Sequence, residues 1–161
     1  MVYTHCLIDN KIRRTRIVVT TSTASKQIEV EVLDAFEALV EASKALDADR
    51  YFAYFDKEKF TGLSADGKAW QSIKNLEDVI GPGFAAVDKI VSLEFYNVKV
   101  TVINQATAIL VNEFKQTILL KDKSLVKQAG GGTQVWSRCE DAWKLVSISA
   151  SDASERGDVV F

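Results

Sequence analysis

The sequence predicts an α+β domain with helices packed on one side of a mostly antiparallel sheet. Three observations carry this. Apolar residues recur at helical spacing over residues 26–46, an Asp-Gly turn signals a hairpin near residue 66, and four segments rich in Val, Ile, Thr and aromatics fill the C-terminal half. At 161 residues, 47% hydrophobic and 26% charged, the chain suits one soluble domain. It is long enough to bury a core without a disulfide or a metal.

Residues 1–25 read as an extended arm rich in Thr, Val and Ile, ending at Ser25, a suitable helix N-cap. From Lys26 to Leu46, Val32, Phe36, Leu39, Val40 and Ser43 fall at three- and four-residue steps. That makes one apolar face with a small residue where something must approach. Glu29 and Glu31 lie in the first turns, where the helix dipole favours negative charge. Asp47-Ala48-Asp49 closes this helix and caps a shorter one through Tyr51, Phe52, Tyr54 and Phe55. Phe60 to Ser64 and Lys68 to Gln71 then flank Ala65-Asp66-Gly67 as a hairpin.

Ser72 caps a third helix through Leu76 and Ile80. Gly81-Pro82-Gly83 is expected to interrupt it, because proline lacks an amide donor, with a last helical piece over 84–90. Strands are expected over 93–103, 106–120, 133–139 and 143–150. Their turns are Asn104-Gln105, Lys121-Asp122-Lys123 and Glu140-Asp141. Gly130-Gly131-Gly132 has neither the Lys-Ser/Thr nor the following helix of a phosphate loop, so a flexible loop or strand bulge is the better reading. The domain is bounded at 26–152, with 153–161 as a short tail.

Composition excludes several function classes. The single histidine, His5, argues against a Ser-His-Asp triad, a His-rich metal site and a His proton shuttle. A net charge of −2 argues against a nucleic-acid binder, which needs a basic surface. The basic run 11–16 precedes only Ile17-Val18-Val19, too short for a signal core or a membrane span, so no membrane association and a cytoplasmic location are expected, with export through a truncated signal as the alternative. Cys6 and Cys139 have no C-x-x-C spacing and read as buried or inert thiols, with a disulfide between them as the alternative. No metal and no cofactor are expected.

The strands carry apolar residues on both alternating faces. Leu93 and Phe95 are expected to oppose Tyr96, Val98, Val100 and Val102, while Ala108, Leu110 and Phe114 oppose Ile109 and Val111. A sheet with one wet face alternates more cleanly, so the second face is expected to be covered. A second copy is the favoured cover, giving a homodimer through the sheet face, with the N-terminal arm as the alternative.

Two segments resemble the nuclear transport factor two-like superfamily, which includes ketosteroid isomerases, SnoaL-type polyketide cyclases and the association domain of calmodulin-dependent kinase II. Residues 39–55, from Leu39 through the Asp47-Ala48-Asp49 turn to Phe55, look like the family's helix, tight turn and second helix. Residues 132–151, with Trp136 and Trp143-Lys144-Leu145-Val146, are similar to its terminal hairpin. The resemblance covers roughly residues 26–151. It implies a cone: a strongly bent, mostly antiparallel sheet wrapped around three N-terminal helices, as in cystatin-like folds, with a pocket at the open end.

The family's catalytic pattern is not matched. Many members place two histidines, two residues apart, on the last strand, where this chain has Ser147 and Ser149, with Ser151 retained. The tyrosine of the ketosteroid isomerases falls at Leu39, their base Asp near Leu63 or Ser64, and their second Asp near Thr133 or Gln134. None of these can do that chemistry.

The candidate pocket lining is therefore mostly aromatic, Tyr51, Tyr54, Phe60, Trp70, Phe84, Phe114 and Trp136, with packing of the helices onto the bent sheet as the competing reading for each. Asn112 joins it as an amide within an apolar strand. Asn97 is a second such amide, and for either one a solvent-facing position is the competing reading. Trp143 reads as core. Asp88, Glu94 and Glu113 are the carboxylates of the apolar half, with surface placement favoured over an acid/base pair. The expected function is binding of a small apolar or aromatic molecule without established catalysis. The alternatives are a SnoaL-like or ketosteroid isomerase-like cyclase, isomerase or dehydratase using Tyr51, Tyr54 or Asp88, and a dimerisation or assembly module.

Overall fold

A computed structural model describes residues 23–153. Most of the arm, with His5 and Cys6, and the tail from residue 154 lie outside the described residues. The elements run α1 (Thr23–Lys44), α2 (Ala48–Phe52), β1 (Thr61–Leu63), β2 (Ala69–Trp70), α3 (Ile73–Ala86), β3 (Val87–Asn104), β4 (Thr107–Leu120), β5 (Leu125–Cys139) and β6 (Ala142–Asp152). They form one mixed sheet in the order β2-β1-β6-β5-β4-β3, in which only the β1–β6 pairing is parallel. The sheet is open and bends around the helices as an α+β cone.

Helix α1 buries Ile28, Val32, Phe36, Leu39 and Ala42, a stripe at three- and four-residue spacing. It already runs at Thr23, so Ser25 lies inside the helix and is not its N-cap. The α1–α2 corner follows expectation: Leu46 takes φ 55°, and Asp47 caps α2 by accepting from the Arg50 amide at 3.0 Å. Hairpin β1–β2 turns at Gly67, whose φ of 82° suits glycine.

Two elements differ from expectation. Helix α3 is continuous through Gly81-Pro82-Gly83 and ends at Ala86, and Val87–Ile90 are strand. Pro82 lies so near the C-terminal end that its missing amide forfeits one late bond, while Ile73 and Leu76 anchor the helix in the core. Gly130-Gly131-Gly132 is neither loop nor bulge: it pairs in register with Phe114, Glu113 and Asn112.

The 18-residue β3 is broken by four register shifts, each a point of bending. One lies between Tyr96 and Lys99, where Asn97 and Val98 together oppose the single residue Asn112 and Asn97 takes φ 50°. The extra residue resets the alternation. Val98 and Val102 pack against the core and Val100 lies in it, on the same side as Phe95, contrary to the expected opposition. The outer face is correspondingly less apolar. It keeps Tyr96, Ile109, Val111 and Val135, with Tyr96 38% and Val111 40% exposed.

The core lies between α1, α2 and the concave side of β3–β6, with Trp136, Leu110, Leu145 and Ala108 fully buried. At the narrow end Glu31 of α1 pairs with Arg138 of β5 and accepts from the Trp143 indole of β6 at 2.9 Å. The Arg138 guanidinium also stacks 5.0 Å from the Trp143 ring.

Candidate functional site

A cavity of about 210 Å3 opens between α1, α2 and the concave sheet face. Helix α1 contributes Phe36, Leu39, Val40 and Ser43, one continuous stripe along the wall. Helix α2 contributes Tyr51. Strands β3 and β4 supply Leu93, Phe95, Asn112, Phe114 and Gln116, and β5 and β6 supply Gly131, Gly132, Gln134, Ile148, Ser149 and Ala150. The wall is thus largely aliphatic and aromatic, with a few amides and hydroxyls.

Of the eight candidates from sequence, Tyr51, Asn112 and Phe114 meet on this wall. Phe84 stands behind it, edge-on to Tyr51 at 5.6 Å. Phe60 and Trp136 are buried in the core, Phe60 in an aromatic cluster with Phe55 at 5.2 Å. Tyr54 and Trp70 pack at the core's margin, away from the wall. These five fill the joints between helices and sheet, where large rings bury the most area.

The polar groups are few. Asn112 is 6% exposed and its Oδ1 is buried with no hydrogen-bond partner. Gln134, 7% exposed, accepts from the Trp136 indole at 3.0 Å through Oε1. Tyr51 is the one titratable side chain on the wall among the described residues, and burial pushes its phenol up to about 12. Gln116 donates to Gln128 at 2.6 Å.

The carboxylates lie elsewhere. Asp88 is exposed and ion-paired with Lys123 at 2.9 Å, which holds its carboxyl below the usual range. Glu94 pairs with Lys115 at 3.2 Å, and Glu113 accepts from Asn97 at 2.9 Å on the outer face. Cys139 donates to Asp56 at 3.2 Å, which raises the thiol pKa. Register puts Ser147 opposite Val135 and Ser149 opposite Thr133, on the side away from Gln134, although Ser149 still borders the cavity. Leu39 lines the cavity as a buried apolar residue, and Leu63 is exposed at the sheet margin. No group of three or more potential metal ligands occurs among the described residues.

Sequence reasoning missed Leu93, Phe95, Gln116, Ile148 and Ala150 as wall residues, and met Gln134 only as an alignment position. Strand alternation could have found them had the β3 bulge and the β4–β5 register been known.

An open, mixed sheet bent around helices places the chain in the class of α+β cones. A SnoaL-like domain model matches residues 32–154, and the chain belongs to the SnoaL-like family. Solved structures agree on the fold. A candidate dehydratase of the NTF2-like family from Streptomyces avermitilis is 21% identical, with a TM-score of 0.67, covering 79% of this chain and 96% of that one. An NTF2-like superfamily protein from Salmonella enterica serovar Typhimurium is 14% identical (TM-score 0.71, 84% and 99% covered). The association domain of the C. elegans calmodulin-dependent kinase II is 15% identical (TM-score 0.65, 81% and 99% covered). No curated protein matches the chain. No helix among the described residues is long and apolar enough to cross a membrane.

Proposed function

We propose that the cavity binds a small, mainly apolar or aromatic molecule and does so without acid–base catalysis. One observation carries this: the wall offers aromatic and aliphatic surface, and its one titratable group stays protonated far above neutral pH. A general base near pH 7 needs a carboxylate or imidazole within reach, and the carboxylates named above face solvent or lysines. The size suits a single substituted ring, since a cavity of about 150 Å3 holds benzene.

The test is titration with toluene followed by backbone NMR shifts and thermal stability. Toluene should shift wall residues and raise the melting temperature, and Ser43→Phe, which fills the approach, should weaken binding by about tenfold or more. Saturating toluene with no shift at the wall would sink the reading.

The catalytic alternative rests on Tyr51 alone, whose protonated hydroxyl at the cavity could serve as an acid; Asp88 is too far out on the surface to assist. Outside the cavity, the outer patch of Tyr96, Ile109, Val111 and Val135 supports a homodimer through the sheet face. The resemblance in fold to a kinase association domain is in keeping with self-association. The domain is taken as 26–152, and a cytoplasmic location remains part of the same proposal.

A further inference from the structure

We propose that the cavity selects neutral ring compounds bearing a hydroxyl or N–H group, which is donated to Asn112 Oδ1, and that Gly132 keeps side-chain bulk away from that oxygen. This rests on the reading of the cavity as a ligand site.

Buried acceptors in folded proteins are nearly always paired, and an orphan destabilises the empty protein. Asn112 Oδ1 is such an orphan, on a residue 6% exposed that lines the cavity. Both strands beside it are built unusually. On the β3 side the bulge at Asn97 and Val98 faces it, and on the β5 side its register partner is Gly132. A Cβ at Gly132 would lie 3.7 Å from Asn112 Oδ1 and 3.4 Å from the Ser149 carbonyl. An alanine would therefore fit, and larger side chains would cover the amide. Glycine leaves that side of the amide without a side chain against it.

The other groups define the rest of the ligand. Gln134 commits Oε1 to Trp136, so that oxygen is not a second free acceptor, and Tyr51 holds its proton. Among the described residues the wall carries no charged side chain, so an ionised ligand would be buried unpaired at high cost. A neutral ring with one donor matches both the orphan acceptor and the apolar wall.

The experiment compares toluene, p-cresol and 4-methylanisole by NMR titration or calorimetry on the full chain. Wild type should bind p-cresol at least about tenfold tighter than either of the others. In Asn112→Leu the ratio should collapse to within about threefold, and Gly132→Val should reduce p-cresol affinity by about tenfold. Gly132→Ala, which the spacing accommodates, serves if Asn112→Leu fails to fold, and should reduce the p-cresol preference in part. If toluene binds and p-cresol has no advantage, or 4-methylanisole is preferred, the donor rule is overturned while the pocket reading stands. An undiminished preference in Asn112→Leu also overturns it. If none of the three probes binds, the pocket reading falls and this inference with it.

Discussion

Asn112 carries a buried amide oxygen that is costly to the empty fold and that the proposed ligand would satisfy. Its Oδ1 is buried without a partner, a condition that costs roughly 1–3 kcal/mol. Leucine, similar in volume, would remove the orphan and extend the apolar wall. Asn112→Leu is therefore expected to stabilise the ligand-free protein by about 1–2 kcal/mol. The melting temperature should rise by about 2–4 °C per kcal/mol, and an unchanged or lower value in a thermal scan would contradict the assignment. The residue types of this site were legible: Tyr51, Asn112 and Phe114 stand out as aromatic or polar residues in helical and apolar segments. Their meeting was not, because Phe60 and Trp136 look equally suitable and differ only in depth.

Among elements, α1 does two jobs along its length. Its C-terminal half walls the cavity, while Glu31 ties its N-terminal half to β5 and β6. The Trp143 indole and the Gln27 amide, with Arg138, hold the Glu31 carboxyl below its ordinary value of 4.5. A folded-state pKa below the unfolded one contributes stability above about pH 4.5, and that contribution is lost as pH falls through the lower folded value. Thermal scans of wild type and Glu31→Gln should thus differ most at neutral pH and converge in acid. A constant difference across that range would remove Glu31 ionisation as the cause. Helix α1 and hairpin β1–β2 were readable from periodicity and the Asp-Gly turn. The unbroken α3 and the paired Gly130–Gly132 were not, because local breakers predict breaks and only neighbours can override them.

At the scale of the whole molecule, the cone has two sheet faces with different fates. The concave face takes the core and the cavity. The convex face keeps a smaller apolar patch than strict alternation implies, since the β3 bulge turns Val98, Val100 and Val102 inward. A dimer through Tyr96 and Val111 should appear in native mass measurements at micromolar concentration, and Val111→Lys should shift it toward monomer. A monomeric wild type would exclude the interface.

By itself, the sequence determined the class of fold, the order of helices and strands, and the Asp47 corner. Each follows from residue type and spacing within a few positions. Only the tertiary structure decided which aromatic rings are core and which are wall, and that Asn112 pairs in register with a glycine on the neighbouring strand. Those depend on strand register and on one bulge. A shift of one residue there turns every following side chain to the other face, and pairing between segments some 20 residues apart sets it.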